Sequence, residues 1–448
     1  MNPRLDPTRR DFLRTVAAAT PLAFVPSALT GRAATSATPA ALPAGAHFAF
    51  PLITVAPTDE KRIRCSEASM VSLRDGTVFL AYASHAGRSD NDQAPLVARR
   101  LSPTGQILEE ERVIVPPPVG GFNAMSPALQ RLPDGRLGML FSYRQSQKIA
   151  SRRFTTSADE GATWSPHVTV ADGQYKTGCH DRFTVHSSGR LLAPCHCTEN
   201  WDLHHLHVRV GRSDDLGATW QLGAPITLPY VRWLENENPR GTPFRKESPA
   251  PTSKLRAEEA SVAALPVNPD APKDHARPAA PGQHVFIQDT ESGCIEPGMA
   301  ERADGSLIMT IRTAMGTQFK SESFDRGVTW STPRSMEVVS PVAPAHISRI
   351  PGTNDLLLLW TSDYDAKVRL SGDRNTISAC VSSDGGASWP HARRKVLAHD
   401  PGRSIDYPSV LYRGNEAWIT LRVSIGKGVL QGRTSTELMR VPLTWFTA

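Results

Sequence analysis

Polar side chains that could do chemistry precede six turns of the sequence, each by about eight residues. They are Glu67, Ser126, Asp181, Glu296, His346 and the adjacent pair Asp406 and Tyr407. Each stands in an otherwise apolar segment, where a buried polar group without a partner costs free energy of desolvation. Carboxylates, an imidazole and a phenol could act together as acid, base and nucleophile on a bound ligand. A water-filled funnel lined by the same groups, without catalysis, is the alternative.

A strand–turn–strand unit carries each of these side chains. One complete unit runs from residue 294 to residue 330: a strand at 298–303, a turn at Asp304 and Gly305, and a returning strand at 307–312. This order is typical of a β-hairpin. The same unit is found at 66–82, 126–143, 182–194, 296–312, 346–361 and 407–422. The repetition predicts a repeat architecture.

A second motif, SxDxGxTW, closes four of the units. It lies at 157–164, 213–220, 323–330 and 382–389 (with Ser for Thr in the last), and a degenerate form lies at 101–107. Its Asp could accept hydrogen bonds from turn amides, its Gly could adopt positive φ, and its Trp could fill the space between strands. Four copies in register with six hairpins predict that each unit has the same internal structure.

Length and composition agree with an all-β fold. The chain has 448 residues with 37 Pro and 32 Gly, which favours many turns over long helices. Six units of four strands predict a six-bladed β-propeller over residues 48–448. Residues 229–283 are rich in Pro, Ala and charge without periodicity, and we expect a long insertion there. Propellers bind ligands at one end of the central axis, where the innermost strands begin and the polar side chains converge.

The first 33 residues are typical of a twin-arginine export signal. Arg9 and Arg10 precede an apolar stretch that Pro21 and Pro26 interrupt, which is too short to span a membrane. Residues 34–47 then form a linker, and we expect a bacterial periplasmic or secreted protein. Outside the signal 45 basic residues face 42 acidic ones, and no basic stripe with interleaved aromatics is present. A nucleic-acid partner is therefore not expected.

The chain resembles the sialidases, or neuraminidases, which are six-bladed propellers with Asp boxes of the SxDxGxTW type. The resemblance extends over residues 50–445. Glu296, eight residues before the turn at Asp304, and Arg312, eight after it, match a catalytic glutamate and an arginine that binds the substrate carboxylate. Arg374 matches a second such arginine, and Tyr407 matches the nucleophilic tyrosine. The alternative for Arg312 is an ion pair with Glu296 at the end of the strand.

The resemblance implies a retaining exo-glycosidase that needs no cofactor and removes a terminal, sialic-acid-like sugar from a glycan. Tyr407 would be the nucleophile, because a tyrosine avoids the repulsion between a carboxylate nucleophile and an acidic sugar. Glu296 would take its proton. Asp90, in the loop after the first hairpin, matches the acid/base aspartate, and Asp92 is a close competitor.

One departure concerns the first inner strand. Where sialidases carry an arginine in an Arg-Ile-Pro sequence, this chain has Ser66, Glu67 and Ala68, and Arg62 and Arg64 lie shortly before. An extra carboxylate there disfavours an acidic sugar and favours a hydroxyl or amine. Besides the arginines above, we expect these side chains to bind substrate: Arg64, Glu67, Asp181, Arg182 and His346. A glycosidase for a non-sialic sugar and a non-catalytic glycan- or protein-binding propeller are the alternatives.

Cysteine and histidine cluster in the third unit. The cluster comprises Cys179, His180, Cys195, His196, Cys197, His204, His205 and His207. Alternating cysteines of a strand face the same way and could bind zinc, but this spacing matches no standard site. We therefore predict no metal centre.

Overall fold

The computed structural model describes residues 45–198, 206–227, 233–234, 285–286, 293–313, 317–363, 374–425 and 432–447. The predicted export signal, most of the linker and nearly all of the insertion lie outside these ranges. Within them no helix is long and apolar enough to cross a membrane.

Antiparallel β-strands make up almost all of the regular secondary structure in the described ranges. The first are β1 (His47–Phe48) and β2 (Leu52–Ala56), both of which pair with strands late in the chain. The first unit contains β3 (Arg64–Ser72), β4 (Val78–His85), β5 (Leu96–Leu101) and β6 (Arg112–Val115). The second contains β7 (Asn123–Arg131), β8 (Leu137–Arg144), β9 (Ala150–Ser157) and β10 (Val168–Ala171). The third contains β11 (Lys176–Thr177), β12 (Thr184–Val185), β13 (Leu191–Cys197), β14 (His207–Ser213) and β15 (Gln221–Leu222).

The second half repeats this plan after a small two-stranded sheet of β16 (Trp233–Leu234) and β17 (Val285–Phe286). The fourth unit contains β18 (Ile295–Glu301), β19 (Leu307–Arg312), β20 (Thr317–Ser323) and β21 (Arg334–Val339). The fifth contains β22 (His346–Arg349), β23 (Leu356–Thr361), β24 (Thr376–Ser382) and β25 (Lys395–His399), with β1 at its edge. The sixth contains β26 (Arg403–Arg413), β27 (Glu416–Ile425) and β28 (Thr434–Pro442), with β2 at its edge, and is followed by α1 (Leu443–Thr447).

The all-β, propeller-like class is confirmed, but six separate blades are not reproduced. A single parallel bridge between Thr434 of β28 and Arg64 of β3 joins the sixth unit to the first in one eight-stranded sheet. The described strands consequently form five sheets of four or more strands together with the two-stranded sheet. The repeat pattern could not predict this join because it depends on one contact between the two ends of the chain.

The core lies between neighbouring units, which explains why the strands are apolar on both faces. In β23, Leu357 and Leu359 pack toward the sixth unit, in a cluster that includes Ile419. The alternate residues, among them Leu358, pack toward the fourth unit, in a cluster that includes Ile308. Each fully buried leucine contributes about 1.5 to 3 kcal/mol relative to an exposed one. The face-to-face packing of the units thus fixes the positions of their inner strands.

The four SxDxGxTW segments share one hydrogen-bond pattern. In the first, Asp159 accepts hydrogen bonds from the backbone N–H of Thr163 (2.8 Å) and the hydroxyl of Ser157 (2.8 Å). The same contacts recur around Asp215, Asp325 and Asp384. The predicted turn chemistry is present, while the assignment of these segments as Asp boxes stays a prediction.

Bulges interrupt four of the inner strands at equivalent points. The pairing register shifts around Glu67 in β3, Ser126 in β7, Glu296 in β18 and Tyr407 in β26. All four have left-handed backbones, with φ of 61°, 55°, 45° and 54°. Such a conformation costs about 1 to 3 kcal/mol in a residue other than glycine, so the surrounding structure must impose it. These are four of the polar positions that the sequence pattern singled out.

Candidate active site

Tyr407 and Glu296 form the centre of the candidate site. The Tyr407 hydroxyl donates a hydrogen bond of 2.6 Å to one Glu296 carboxylate oxygen. Arg312, at the end of β19, donates from one Nη to the other oxygen (2.5 Å) and lies 3.3 Å from the Tyr407 hydroxyl. Three side chains from two units therefore meet at one phenol oxygen.

The protonation states of Tyr407 and Glu296 follow from the burial of both side chains and from the charged groups beside them. Burial, together with the Glu296 carboxylate, raises the pKa of Tyr407 well above its usual value. Burial alone would raise the pKa of Glu296 too, but the nearby Arg312 guanidinium holds it below its usual range. Near neutral pH the pair is thus a neutral phenol hydrogen-bonded to a carboxylate, an arrangement in which Glu296 can act as a base.

A buried carboxylate, Asp406, organises two further arginines beside Tyr407. Arg422 binds Asp406 with two hydrogen bonds, of 2.6 and 2.7 Å, and its guanidinium carbon lies 4.1 Å from the Tyr407 ring centroid. Arg374 donates to Asp406 at 3.1 Å and also to the backbone carbonyl of Val342. Two of the predicted arginines, Arg312 and Arg374, are therefore close to Tyr407, and each is already hydrogen-bonded to a carboxylate.

Arg422 is a site residue that the sequence reasoning missed. It lies sixteen residues after Asp406, which is the same spacing as between Glu296 and Arg312. Arg312 ends the second strand of its unit and Arg422 lies three residues before the end of its own, and each donates to a carboxylate on the first strand of the same unit. This equal spacing is the signal in the sequence that could have identified Arg422.

Asp90 and Arg64 form an ion pair in the first unit. Their charged atoms are 2.7 Å apart, and the Asp90 side chain is 59% exposed whereas that of Arg64 is buried. Partial burial of Asp90 would raise its pKa, but the Arg64 guanidinium holds the pKa of Asp90 below its usual range. Asp92 instead accepts a hydrogen bond from the backbone N–H of Ser89 (2.7 Å). Of the two aspartates, Asp90 is thus the one beside a site arginine.

Arg62, the other arginine considered for this region, is engaged elsewhere. Its guanidinium pairs with Asp59 (2.5 Å) and Glu111 (2.8 Å). The first unit therefore supplies one predicted arginine, Arg64, to the neighbourhood of Asp90.

Glu67 lies buried on the bulge of β3 and accepts a hydrogen bond of 2.5 Å from the hydroxyl of Ser126. Burial raises the pKa of Glu67, although the Arg64 guanidinium opposes this shift. Among the described residues, no guanidinium lies within ion-pair distance of Glu67. It is consequently a carboxyl group that is easily neutralised.

Asp181, Arg182 and His346 contact one another and the backbone of other units. Asp181 accepts hydrogen bonds from the Ser69 hydroxyl (2.9 Å) and lies 3.4 Å from His346. Arg182 donates to the carbonyl of Ala345 (2.9 Å) and lies 3.2 Å from His346 Nδ1. The predicted substrate-binding role of these three is not tested by the geometry, which gives each of them protein partners.

The cysteine and histidine cluster also contributes to the site. His196 Nδ1 accepts a hydrogen bond of 3.2 Å from the backbone N–H of Glu296, and burial lowers the pKa of His196 to about 4. In the ranges described above, no three His, Cys, Asp or Glu side chains are grouped so that they could hold a metal ion. The six cysteines are buried.

The family of the chain follows from its repeats. Residues 110–419 match the BNR repeat-like domain, and the chain belongs to that family. No curated protein sequence matches the chain significantly.

Solved structures with the same fold include sialidases. A protein of unknown function from Dyadobacter fermentans has a TM-score of 0.60 at 15% identity, with 89% of this chain and 100% of that chain covered. A Hadza microbial sialidase has a TM-score of 0.59 at 16% identity, with 88% of this chain and 69% of that chain covered. Trypanosoma rangeli sialidase, solved as a covalent intermediate with 2,3-difluorosialic acid, has a TM-score of 0.59 at 12% identity. The match covers 90% of this chain and 60% of that chain. At these identities the likeness shows the fold.

Proposed function

We propose that the protein is a retaining exo-glycosidase in which Tyr407 is the nucleophile and Glu296 its base. The observation that carries this proposal is the 2.6 Å hydrogen bond between the two side chains. A phenol whose pKa is raised is a poor nucleophile by itself, so a base in direct contact is what nucleophilic catalysis requires. A site that only binds a glycan has no need of such a pair.

In the first step Glu296 takes the phenol proton while the Tyr407 oxygen attacks the anomeric carbon. The bond to the leaving oxygen breaks, and Asp90 protonates that oxygen. In the second step Asp90 removes a proton from water, the water oxygen attacks the same carbon, and Tyr407 leaves and regains its proton from Glu296. Arg312, 3.3 Å from the phenol oxygen, stabilises the negative charge that develops there.

The sugar that we propose carries a carboxylate, as sialic acid does. Three guanidinium groups, of Arg312, Arg374 and Arg422, stand against two carboxylates, of Glu296 and Asp406, beside Tyr407. The excess of one positive charge suits an acidic sugar, with Arg312 and Arg374 as its binding groups. An acidic sugar also accounts for a tyrosine in place of a carboxylate nucleophile.

A neutral or amino sugar is the second candidate. The observation that favours it is Glu67, which has no guanidinium partner among the described residues and would repel a sugar carboxylate whenever it is ionised. The two candidates therefore differ in the charge that the site prefers.

The test begins with covalent capture. The purified protein is incubated with 2,3-difluorosialic acid, the compound named for the T. rangeli intermediate, and with 2-fluoro analogues of uronic and neutral sugars. We expect the peptide that contains Tyr407 to gain the mass of one acidic sugar, and Tyr407→Phe to gain none. Label from the neutral analogue alone would support the second candidate, and label on another residue would refute Tyr407 as nucleophile.

We also propose export by the twin-arginine route, which Arg9 and Arg10 support. Replacing both with lysine should leave the folded protein in the cytoplasm of an expressing bacterium. Unchanged periplasmic yield, measured by fractionation, would point to another route.

A further inference from the structure

We infer that a turn of the third unit positions the nucleophile. This segment, residues 178–183, is here named the axial turn; it lies between β11 and β12, and only its last two residues belong to the predicted hairpin unit at 182–194. The inference rests on the proposed function in that Tyr407 is taken as the nucleophile. The positioning residues are His180, Asp181 and Arg182.

Three consecutive side chains of the axial turn hold the backbone around Tyr407. His180 Nε2 lies 3.1 Å from the carbonyl oxygen of Tyr407 itself. Arg182 donates to the carbonyl of Pro408 at 3.4 Å, and Asp181 accepts from the backbone N–H of Val410 at 3.1 Å. The contacts reach three of the four residues from Tyr407 to Val410 in β26, from more than two hundred residues away in sequence.

The bulge in β26 explains why such support is needed. Register with β27 is lost between Asp406 and Ser409, so the backbone of Tyr407 and Pro408 leaves the regular ladder. The left-handed conformation of Tyr407, φ 54°, is also unfavourable by itself. The axial turn supplies hydrogen bonds at the place where the ladder does not, and thereby fixes the direction of the Tyr407 side chain.

The ring of His180 has one workable protonation state. A carbonyl oxygen only accepts, so Nε2 must carry the proton that it donates to Tyr407. Nδ1 is then an acceptor, and the Cys179 sulfur lies 3.4 Å from it. Burial lowers the pKa of His180 and raises that of the Cys179 thiol, so both are neutral and the thiol can donate. The Cys179 and His180 pair, singled out in the sequence as possible metal ligands, thus forms a chain of hydrogen bonds that ends on the nucleophile.

The axial turn is itself fixed on several sides. Arg152 donates to the carbonyl of Cys179 (3.2 Å), and the N–H of Asp181 donates to the carbonyl of Pro127 (2.9 Å). The His180 side chain is completely buried, and its ring centroid lies 5.5 Å from that of Tyr407. A rigid support in contact with both the backbone and the ring can hold the phenol within the small tolerance that catalysis requires.

The experiment replaces His180 and monitors both turnover and the phenol. His180→Leu removes the donor, and His180→Gln retains an amide N–H that can reach the carbonyl. The matched control is His186→Leu, because His186 is also buried and its Nε2 lies 3.0 Å from the backbone carbonyl of Gly305 in the neighbouring unit, at the hairpin turn. Each variant is also made with 3-fluorotyrosine at position 407, whose ¹⁹F resonance reports on the ring without any substrate.

For His180→Leu we expect a shifted or broadened ¹⁹F resonance and a kcat lower by about 10- to 100-fold with KM nearly unchanged. His180→Gln should restore most of the parent ¹⁹F resonance and most of kcat, and His186→Leu should change neither the resonance nor kcat. An unchanged ¹⁹F resonance in His180→Leu overturns the inference. If no glycosidase activity exists at all, the proposed function fails while the ¹⁹F comparison still decides the positioning role.

Arg182→Lys provides the second variant if His180→Leu does not fold. Lysine cannot donate from a planar fork to both the Ala345 and the Pro408 carbonyls, so the same ¹⁹F change and kcat loss are expected. A raised KM with kcat and the ¹⁹F resonance intact would make Arg182 a substrate-binding residue and would contradict the positioning role.

Discussion

The Tyr407 hydroxyl lies 2.6 Å from the Glu296 carboxylate although the two residues are 111 positions apart in the sequence. Each sits on a bulge, and each bulge breaks an inner strand at the same point of its unit. The fold thereby brings a neutral phenol into contact with an ionised carboxylate inside a buried site.

Loss of the phenol oxygen should remove turnover and leave binding. Tyr407→Phe is expected to lower kcat by about 10³-fold or more, equivalent to about 4 kcal/mol of barrier, because the ring still packs and only the nucleophile is absent. Initial rates on aryl glycosides measure this. The control is Tyr412→Phe, five residues further along the same strand, whose hydroxyl bonds to Ser348 (2.8 Å) outside the site. Full activity in Tyr407→Phe would rule out the proposed mechanism.

The loss of rate on replacing Asp90 should depend on the leaving group of the substrate. Asp90→Asn is expected to slow cleavage of alkyl glycosides by about 10² to 10⁴-fold, while 4-nitrophenyl glycosides, which need no proton, lose far less. Because Arg64 lowers the pKa of Asp90, this carboxyl group is ionised near neutral pH, and the protonated form that can donate becomes populated only as the pH falls. Cleavage of alkyl glycosides by the parent protein should therefore rise toward acid pH.

Asp92→Asn is the matched control for Asp90, since Asp92 binds the Ser89 N–H in the same loop. We expect it to retain the leaving-group pattern of the parent. An equal loss of alkyl and aryl cleavage in Asp90→Asn would contradict a role in proton donation.

Glu67 should make the binding of an acidic sugar depend on pH. Its pKa is raised, so the carboxyl group is neutral at low pH and gains a negative charge as the pH rises through that pKa. KM for acidic glycosides should then increase with pH, whereas KM for neutral ones should not. Glu67→Gln, which keeps the shape and stays neutral, should abolish the increase. The proposal of an acidic sugar fails if neutral glycosides show the same dependence.

The tryptophans that end the SxDxGxTW segments should affect stability according to their burial. Trp389 is 4% exposed between the fourth and fifth units, whereas Trp330 is only partly buried against the core of the third and fourth. Trp389→Ala is expected to lower the free energy of unfolding by about 3 to 5 kcal/mol, and Trp330→Ala by less. Denaturant melts measure both. A reversed order would mean that the packing between units is wrongly described.

Local patterns predicted the repeated units and the polar positions such as Glu296 and Tyr407, because hairpins recur at fixed spacing. Arg312 and Arg374 were expected from the resemblance to sialidases. The roles of the axial turn and of the joined eight-stranded sheet were beyond such reasoning. Asp181 and Arg182 were expected to bind substrate, yet their partners are groups of distant units, which a single-unit pattern does not contain. Arg422 was overlooked because only the unit around Arg312 was considered for an arginine of the second strand that pairs with a carboxylate of the first.

The pairing of β2 with β28 has a consequence for the order in which the chain can fold. Leu52 pairs with Met439, so the outermost strand of the last unit is supplied by a segment that precedes all six units in the chain. That contact spans nearly the whole polypeptide, and long-range contacts of this kind form slowly because the intervening chain must first become ordered. Assembly of the last sheet therefore has to wait until translation has passed β28, and until then the early segment has no strand to pair with. A chain released before that point would expose an unpaired strand edge to aggregation or proteolysis.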